Sequence, residues 1–170
     1  ILQLGKENDF DFVITEIGGV VGDIESLPFI EAVRQLKYEL GKNCLFIHLT
    51  YVPFIAAAKE LKTKPTQHSV KTLQQEGIQP DIIVLRTEHE ISDDVKRKVS
   101  QFCNVSVDAV IESMDCSTIY ECPIKMQEEK LDTVVLSKHG MEIPDADMTE
   151  WNKHLDRLKN AKRKEKNAPG

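Results

Sequence analysis

Three carboxylates stand close together around a glycine turn: Glu16 precedes Gly18 and Gly19, and Asp23 and Glu25 follow Gly22. Magnesium takes oxygen ligands and is usually held by one or two carboxylates together with substrate phosphates, so this cluster suits a metal–phosphate site. The same residues also suit a structural role. Glu16 can cap a neighbouring helix, and Asp23 and Glu25 can oppose the dipole at a helix amino end. Spacing alone leaves both readings open.

A second group is basic. Lys62 and Lys64 are followed by Thr66, Gln67 and His68, with a helix predicted to start at Thr66. Two ammonium groups beside the free N–H donors of a helix start can surround a phosphate. An ordinary solvated loop in which Pro65 ends the preceding helix is the competing reading. The third group is Lys96, Arg97 and Lys98 with Phe102 on one predicted helix. One lysine could reach a phosphate and Phe102 could pack on a base, although such triples are commonly just solvated. His48 lies in an apolar strand, where a hydrogen-bonded core histidine is the ordinary expectation.

Other chemistries lack their signatures. The histidines and cysteines have no metal-cluster spacing, no serine sits in a G-x-S-x-G elbow, and no G-x-x-x-x-G-K-[ST] string occurs. The residues alone suggest a domain binding a phosphorylated ligand with a divalent ion.

The elements that must hold these groups follow from periodicity. Residues 9–17 read as a buried strand on Phe12, Val13, Ile14 and Ile17. The glycine turn then leads into a helix from Pro28 to about Leu40 with a stripe of Phe29, Val33, Leu36 and Leu40. Residues 41–43 stop it. Residues 44–50 read as a second buried strand and 53–61 as an alanine-rich helix. A further helix runs from Thr66 to Gly77, residues 81–86 form a strand, and Ser92 caps the next helix. Residues 109–112 form a short strand. Residues 117–127 begin a helix that Pro123 interrupts, and 134–136 is a short apolar stretch. This alternation predicts an α/β fold with a mostly parallel sheet and helices on both faces. Residues 148–158 predict a short helix on Trp151, Leu155 and Leu158. The run KNAKRKEKNAPG after it reads as a frayed helix end entering a linker.

The chain has 170 residues, a net charge of −6, 41% apolar and 29% charged residues, which suits one α/β domain with a sizeable core. No 18-residue apolar stretch predicts a membrane span. The start lacks the basic and apolar regions of a secretory signal, and a cytoplasmic location is expected. Cys44, Cys103, Cys116 and Cys122 have no CxxC spacing and read as reduced thiols. The acidic balance argues against bulk nucleic-acid binding.

Longer strings are more specific. EIGGVVGDIESLPFIEAVRQ, KTKPTQHSVK and KRKVSQFCNV resemble the amidoligase (synthetase) domain of the CTP synthase family over roughly residues 9–145. Residues 146–170 are then expected to be a C-terminal helix and the start of a linker toward a glutaminase domain. The resemblance implies a P-loop NTPase-like fold and amination of UTP to CTP, with ATP as phosphoryl donor and glutamine-derived ammonia as nucleophile. It implies Glu16 as a Mg²⁺ ligand on the ATP side. It further implies UTP/CTP contacts from Asp23, Ile24, Glu25, Lys62, Thr63, Lys64, Gln67, Lys98 and Phe102, with CTP also acting as product inhibitor. A homotetramer that completes its UTP sites across interfaces is also implied.

The sequence departs from that family pattern. The N-terminal P-loop, a metal-binding aspartate and the glutaminase domain are not among these residues. The chain is therefore expected to be the C-terminal part of the synthetase domain, inactive alone and with one sheet edge exposed. A catalytically incomplete nucleotide-binding or regulatory domain is the alternative. A dethiobiotin- or cobyrinate-type amidoligase is disfavoured, because KTKPTQHS and GDIESLPF occur together.

Overall fold

The computed structural model describes residues 1–166 except Asn8 and Ile143, with side chains through Ala161. Its helices are α1 (Leu2–Glu7), α2 (Leu27–Leu40), α3 (Lys64–Gln75), α4 (Asp93–Cys103), α5 (Cys122–Glu128), α6 (Leu131–Lys138) and α7 (Thr149–Lys166). The strands are β1 (Ile47–Tyr51), β2 (Phe54–Ile55), β3 (Glu60–Leu61), β4 (Ile82–Thr87) and β5 (Val110–Met114).

Strands β1, β4 and β5 form a parallel sheet with β4 in the centre. Apart from Arg86, β4 is buried throughout, as its unbroken apolar run predicts for a strand covered on both faces. On one face Ile83 and Leu85 pack with Val70 of α3 and with Val99 and Cys103 of α4. On the other, Ile82 and Val84 meet Ala109, Ile111 and Val134 of α6. Helices therefore cover both faces, as expected.

Strand β1 is different because it lies at an edge. His48 and Thr50 are buried, whereas Ile47, Leu49 and Tyr51 are exposed on the face shared with Ile82 and Val84. The expected fully buried strand at 44–50 is thus a half-covered strand starting at Ile47.

Several expectations are corrected. Residues 9–17 form no strand; Ile14 is 96% exposed. An apolar run becomes a strand only when neighbouring backbone groups complete its hydrogen bonds. Here Ile17 and Val21 instead pack against Ile30, Leu73 and Ile78. Within α2, Val33, Leu36 and Leu40 of the predicted stripe are partly buried, whereas Phe29 faces out at 62% exposure and Ile30 is buried in its place. Residues 53–61 form no helix. Three alanines are too few to nucleate one, and β2 and β3 pair antiparallel around a turn with Lys59 at φ 50°.

Prolines start helices here rather than stopping them. Pro65 and Pro123 sit in the first turns of α3 and α5, where the missing N–H costs nothing. Ser92 occupies the cap position of α4, but its side chain makes no capping bond. The short 134–136 stretch belongs to α6.

The C-terminal helix continues to Lys166, beyond the expected end at Leu158. It is docked through buried Leu155, a 2.8 Å bond from Trp151 Nε1 to the Tyr120 carbonyl, and a 2.7 Å pair between Lys159 and Glu121. The end of the predicted linker, residues 167–170, lies outside the described residues. All four cysteines are free thiols. No described helix is long and apolar enough to cross a membrane.

Candidate functional site

The basic segment is built onto the carboxyl edge of the sheet by β1 and α3. Thr50 and Thr66 hydroxyls are 3.0 Å apart, and His48 Nε2 lies 2.9 Å from Ser69 Oγ. The later strand residue meets the earlier helix residue, so α3 runs antiparallel to β1. Its amino end therefore stands at the carboxyl end of the strand, where open α/β sheets bind ligands. Helix α3 starts at Lys64, two residues before the predicted start, and Thr66 is fully buried.

This start leaves Lys62 and Lys64 exposed. Pro65 has no N–H, Thr66 is buried and the Gln67 N–H donates to the Thr63 carbonyl at 3.0 Å, so the Lys64 N–H is the exposed donor of the first turn. Thr63 is buried, and its hydroxyl accepts a 3.1 Å bond from Gln67 Nε2. Lys62 is tied to Glu60 on β3, and its backbone N–H donates to the Pro53 carbonyl at 2.9 Å. The Glu60 carboxyl is held below its ordinary pKa by Lys62 first, with Lys98 contributing across the gap from α4. Lys62 and Lys98 are thus electrostatic neighbours through one carboxylate.

The basic triple separates into three roles. Lys96 is bound to Glu129 at 2.6 Å, and Arg97 pairs with Asp94 on the same helix at 2.6 Å. Lys98 makes no ion pair among the described residues. Phe102, one turn later, is 62% exposed. Lys98 and Phe102 therefore remain available to a ligand, while Lys96 serves the fold.

The glycine turn closes on itself. Asp23 Oδ2 accepts the Val20 N–H at 3.1 Å, and the Asp23 N–H donates to the Val20 carbonyl at 3.0 Å. Ser26 Oγ donates to the Asp23 carbonyl at 2.8 Å. Gly22, at φ 101°, lies against Thr72; a Cβ there would come within 3.3 Å of the Thr72 methyl. The turn thus rests on the later part of α3 rather than on its first turn. Ile24 and Glu25 are exposed.

Glu16 is exposed on a segment that is not a strand, which corrects the expectation of carboxylates at a strand end. Among the described residues, no group of three or more His, Cys, Asp or Glu side chains could hold a metal. A lone carboxylate fits one ligand of a Mg²⁺ otherwise held by phosphates and water, not a complete cage. The structure thus groups Lys62, Thr63, Lys64 and Gln67 and brings Lys98 near them. Among the described residues no hydrogen bond or ion pair links Glu16 to that group.

The sequence reading passed over four residues at the same sheet edge. Tyr51 Oη donates to Glu88 at 2.9 Å, and Arg86 Nε lies 3.1 Å from Asp115. All four stand at or just beyond the carboxyl ends of β1, β4 and β5. Their signal was positional, since each follows an apolar strand run.

A family model described as CTP synthase N-terminus matches residues 1–141. The chain belongs to the CTP synthase family. It is 61% identical over 154 residues to a CTP synthase of Porphyromonas gingivalis, covering 90% of this chain and 29% of that protein. It is 59% identical over 163 residues to the CTP synthase of Bacteroides thetaiotaomicron, covering 95% and 30%. The Christiangramia forsetii CTP synthase is 61% identical over 163 residues, covering 94% and 30%. The chain therefore spans about three-tenths of the length of these curated relatives. The matched family model is named for the N-terminus, which is at odds with the expectation of a C-terminal part of the synthetase domain.

Proposed function

We propose that this chain is the portion of a CTP synthase that binds the pyrimidine nucleotide during ATP-dependent amination of UTP with glutamine-derived ammonia. The observation carrying this reading is the Lys62–Gln67 segment at the carboxyl edge of β1, where a helix amino end and two lysines coincide.

Lys62 and Lys64 neutralise the UTP triphosphate, and the Lys64 N–H at the start of α3 supplies a directed donor. Lys98 adds charge from α4, and Phe102 offers an apolar face beside it. Thr63 and Gln67, bonded to each other, form the polar wall of the pyrimidine site. Asp23, Ile24 and Glu25 contact UTP or, as inhibitor, CTP. In the overall reaction ATP phosphorylates the uracil O4 and ammonia displaces the phosphate. Water must be excluded so that ammonia is the nucleophile.

Glu16 would contribute one carboxylate to Mg²⁺, whose chemistry when bound is to offset charge on the ATP phosphates. The reading carries with it residues 1–145 as a partial synthetase domain, 146–170 as a C-terminal helix and the start of a linker toward a glutaminase domain, a homotetramer, a cytoplasmic location, and no CTP formation by this chain alone.

The test is CTP formation from UTP, ATP and glutamine by the intact protein. Lys64→Ala should raise the KM for UTP by about a hundredfold, a size expected for losing a charged contact. Glu16→Gln should lower kcat at fixed Mg²⁺. Unchanged rates in both variants would sink these assignments. CTP or UTP binding by the isolated chain without ATP turnover would favour the alternative, a catalytically incomplete nucleotide-binding or regulatory domain.

A further inference from the structure

The two hydroxyl-bearing bridges under α3 seat it on the sheet, and among the described residues they are the side-chain hydrogen bonds between α3 and β1. Helix α3 divides along its length. Its last two turns are held by apolar contacts of Val70 and Leu73, whereas its first two turns touch β1 through Thr66 and Ser69. Apolar packing alone would hold the amino end equally well but would tolerate small slides and rotations. A hydrogen bond does not, because its strength falls steeply with distance and angle.

We propose that the Thr50–Thr66 and His48–Ser69 bridges are positioning pairs that set the height and rotation of the amino end of α3, and thereby the affinity of the Lys62–Gln67 segment for the triphosphate of a pyrimidine nucleotide. This rests on the function proposed above and adds four residues to it: His48, Thr50, Thr66 and Ser69.

The geometry favours this. Thr50 is 7% and Thr66 0% exposed, so neither hydroxyl has water as an alternative partner. Buried polar pairs of this kind are costly when half-satisfied and neutral when both partners become apolar. Thr66 lies between Lys64 and Gln67 and one turn from Thr63, so any rotation at Thr66 moves all three together. His48 and Ser69 act one turn deeper and prevent α3 from sliding along the strand. The side chains touch no ligand in this scheme; they act through the lysines.

A threonine pair allows a test that separates positioning from stability. In the intact protein, Thr66→Val leaves the Thr50 hydroxyl unpaired, while Thr50→Val/Thr66→Val removes both hydroxyls at nearly constant volume. Positioning predicts that the single variant loses thermal stability and raises the KM for UTP about tenfold. The double variant should regain most of the melting temperature and keep the raised KM. The KM for ATP should move less than twofold, and Thr66→Ser should restore UTP affinity. Ser69→Ala should raise the KM for UTP in the same direction, and it provides a second readout if Thr66→Val does not fold. Recovery of the KM together with the melting temperature, or equal shifts for UTP and ATP, would overturn the proposal. So would an unchanged KM for UTP while the wild type makes CTP. A wild type that makes no CTP from UTP would overturn the function reading and this inference with it.

Discussion

Lys96 and Glu129 meet at 2.6 Å, and the same Glu129 oxygen accepts the backbone N–H of Glu112 at 2.8 Å. One carboxylate thus joins α4, β5 and the end of α5. Glu112 extends the knot by accepting the Ile91 N–H at 3.0 Å, and burial raises its carboxyl pKa. Lysines two residues apart on α4 consequently have separate duties. Lys96→Met should cost about 1–3 kcal/mol of stability, the usual range for unpairing a partly buried charged group. Lys98→Ala should leave stability within about 0.5 kcal/mol and weaken UTP binding. Urea unfolding of both variants beside UTP titration checks the division; similar unfolding midpoints would contradict it.

His48 gives the fold a pH dependence. Burial lowers its pKa from the ordinary 6.5. Well above pH 6.5 both the folded and unfolded imidazoles are neutral and the contribution is constant. As the pH falls below 6.5 the unfolded imidazole takes a proton before the folded one does, and stability declines until the folded pKa is passed. Unfolding midpoints between pH 7.5 and 5.5 should therefore drop, and His48→Gln should flatten that slope.

Gly22 cannot accept a side chain without cost. Its φ of 101° is unfavourable for L-residues, and the Thr72 methyl stands 3.3 Å from the added Cβ. Gly22→Ala should destabilise by about 1–2 kcal/mol and weaken CTP binding by moving Asp23 and Glu25. Isothermal titration with CTP should detect this even where the melting temperature moves little.

The dock of α7 can be read by fluorescence, because Trp151 is the single tryptophan. Its ring lies 6.4 Å from both Tyr120 and His154. Leu155→Ala removes the 5%-exposed anchor of the helix and should cost about 2–3 kcal/mol. Trp151 emission should shift to the red. An unshifted spectrum would mean that the helix stays docked without Leu155.

Cys103 is fully buried, and burial pushes its thiol up to about 11. Cys44, Cys116 and Cys122 are only partly covered. A thiol reagent at pH 8 should label those three first and reach Cys103 only on unfolding, because the thiolate is the reacting form.

By itself, the sequence determined the elements whose signals are local. The unbroken apolar run of β4, the proline-started α2 and the left-handed glycines Gly19 and Gly22 all stand where periodicity and turn chemistry put them. The strings that mark the CTP synthase family are equally local, and the family match agrees with them. What needed tertiary structure was anything set by a distant partner. Residues 9–17 carry a strand's composition and pair with nothing described, because sheet hydrogen bonds come from another part of the chain. The alanines at 56–58 turn a hairpin whose Phe54 ring lies tilted against His89, centroids 4.0 Å apart, far away in sequence. The clearest case is the basic segment. Composition marked Lys62 and Lys64, but Thr50 and His48, sixteen and twenty-one residues from their partners, decide where those lysines stand. Charge is written in the residue, whereas its position depends on the surface that the helix beneath it packs against.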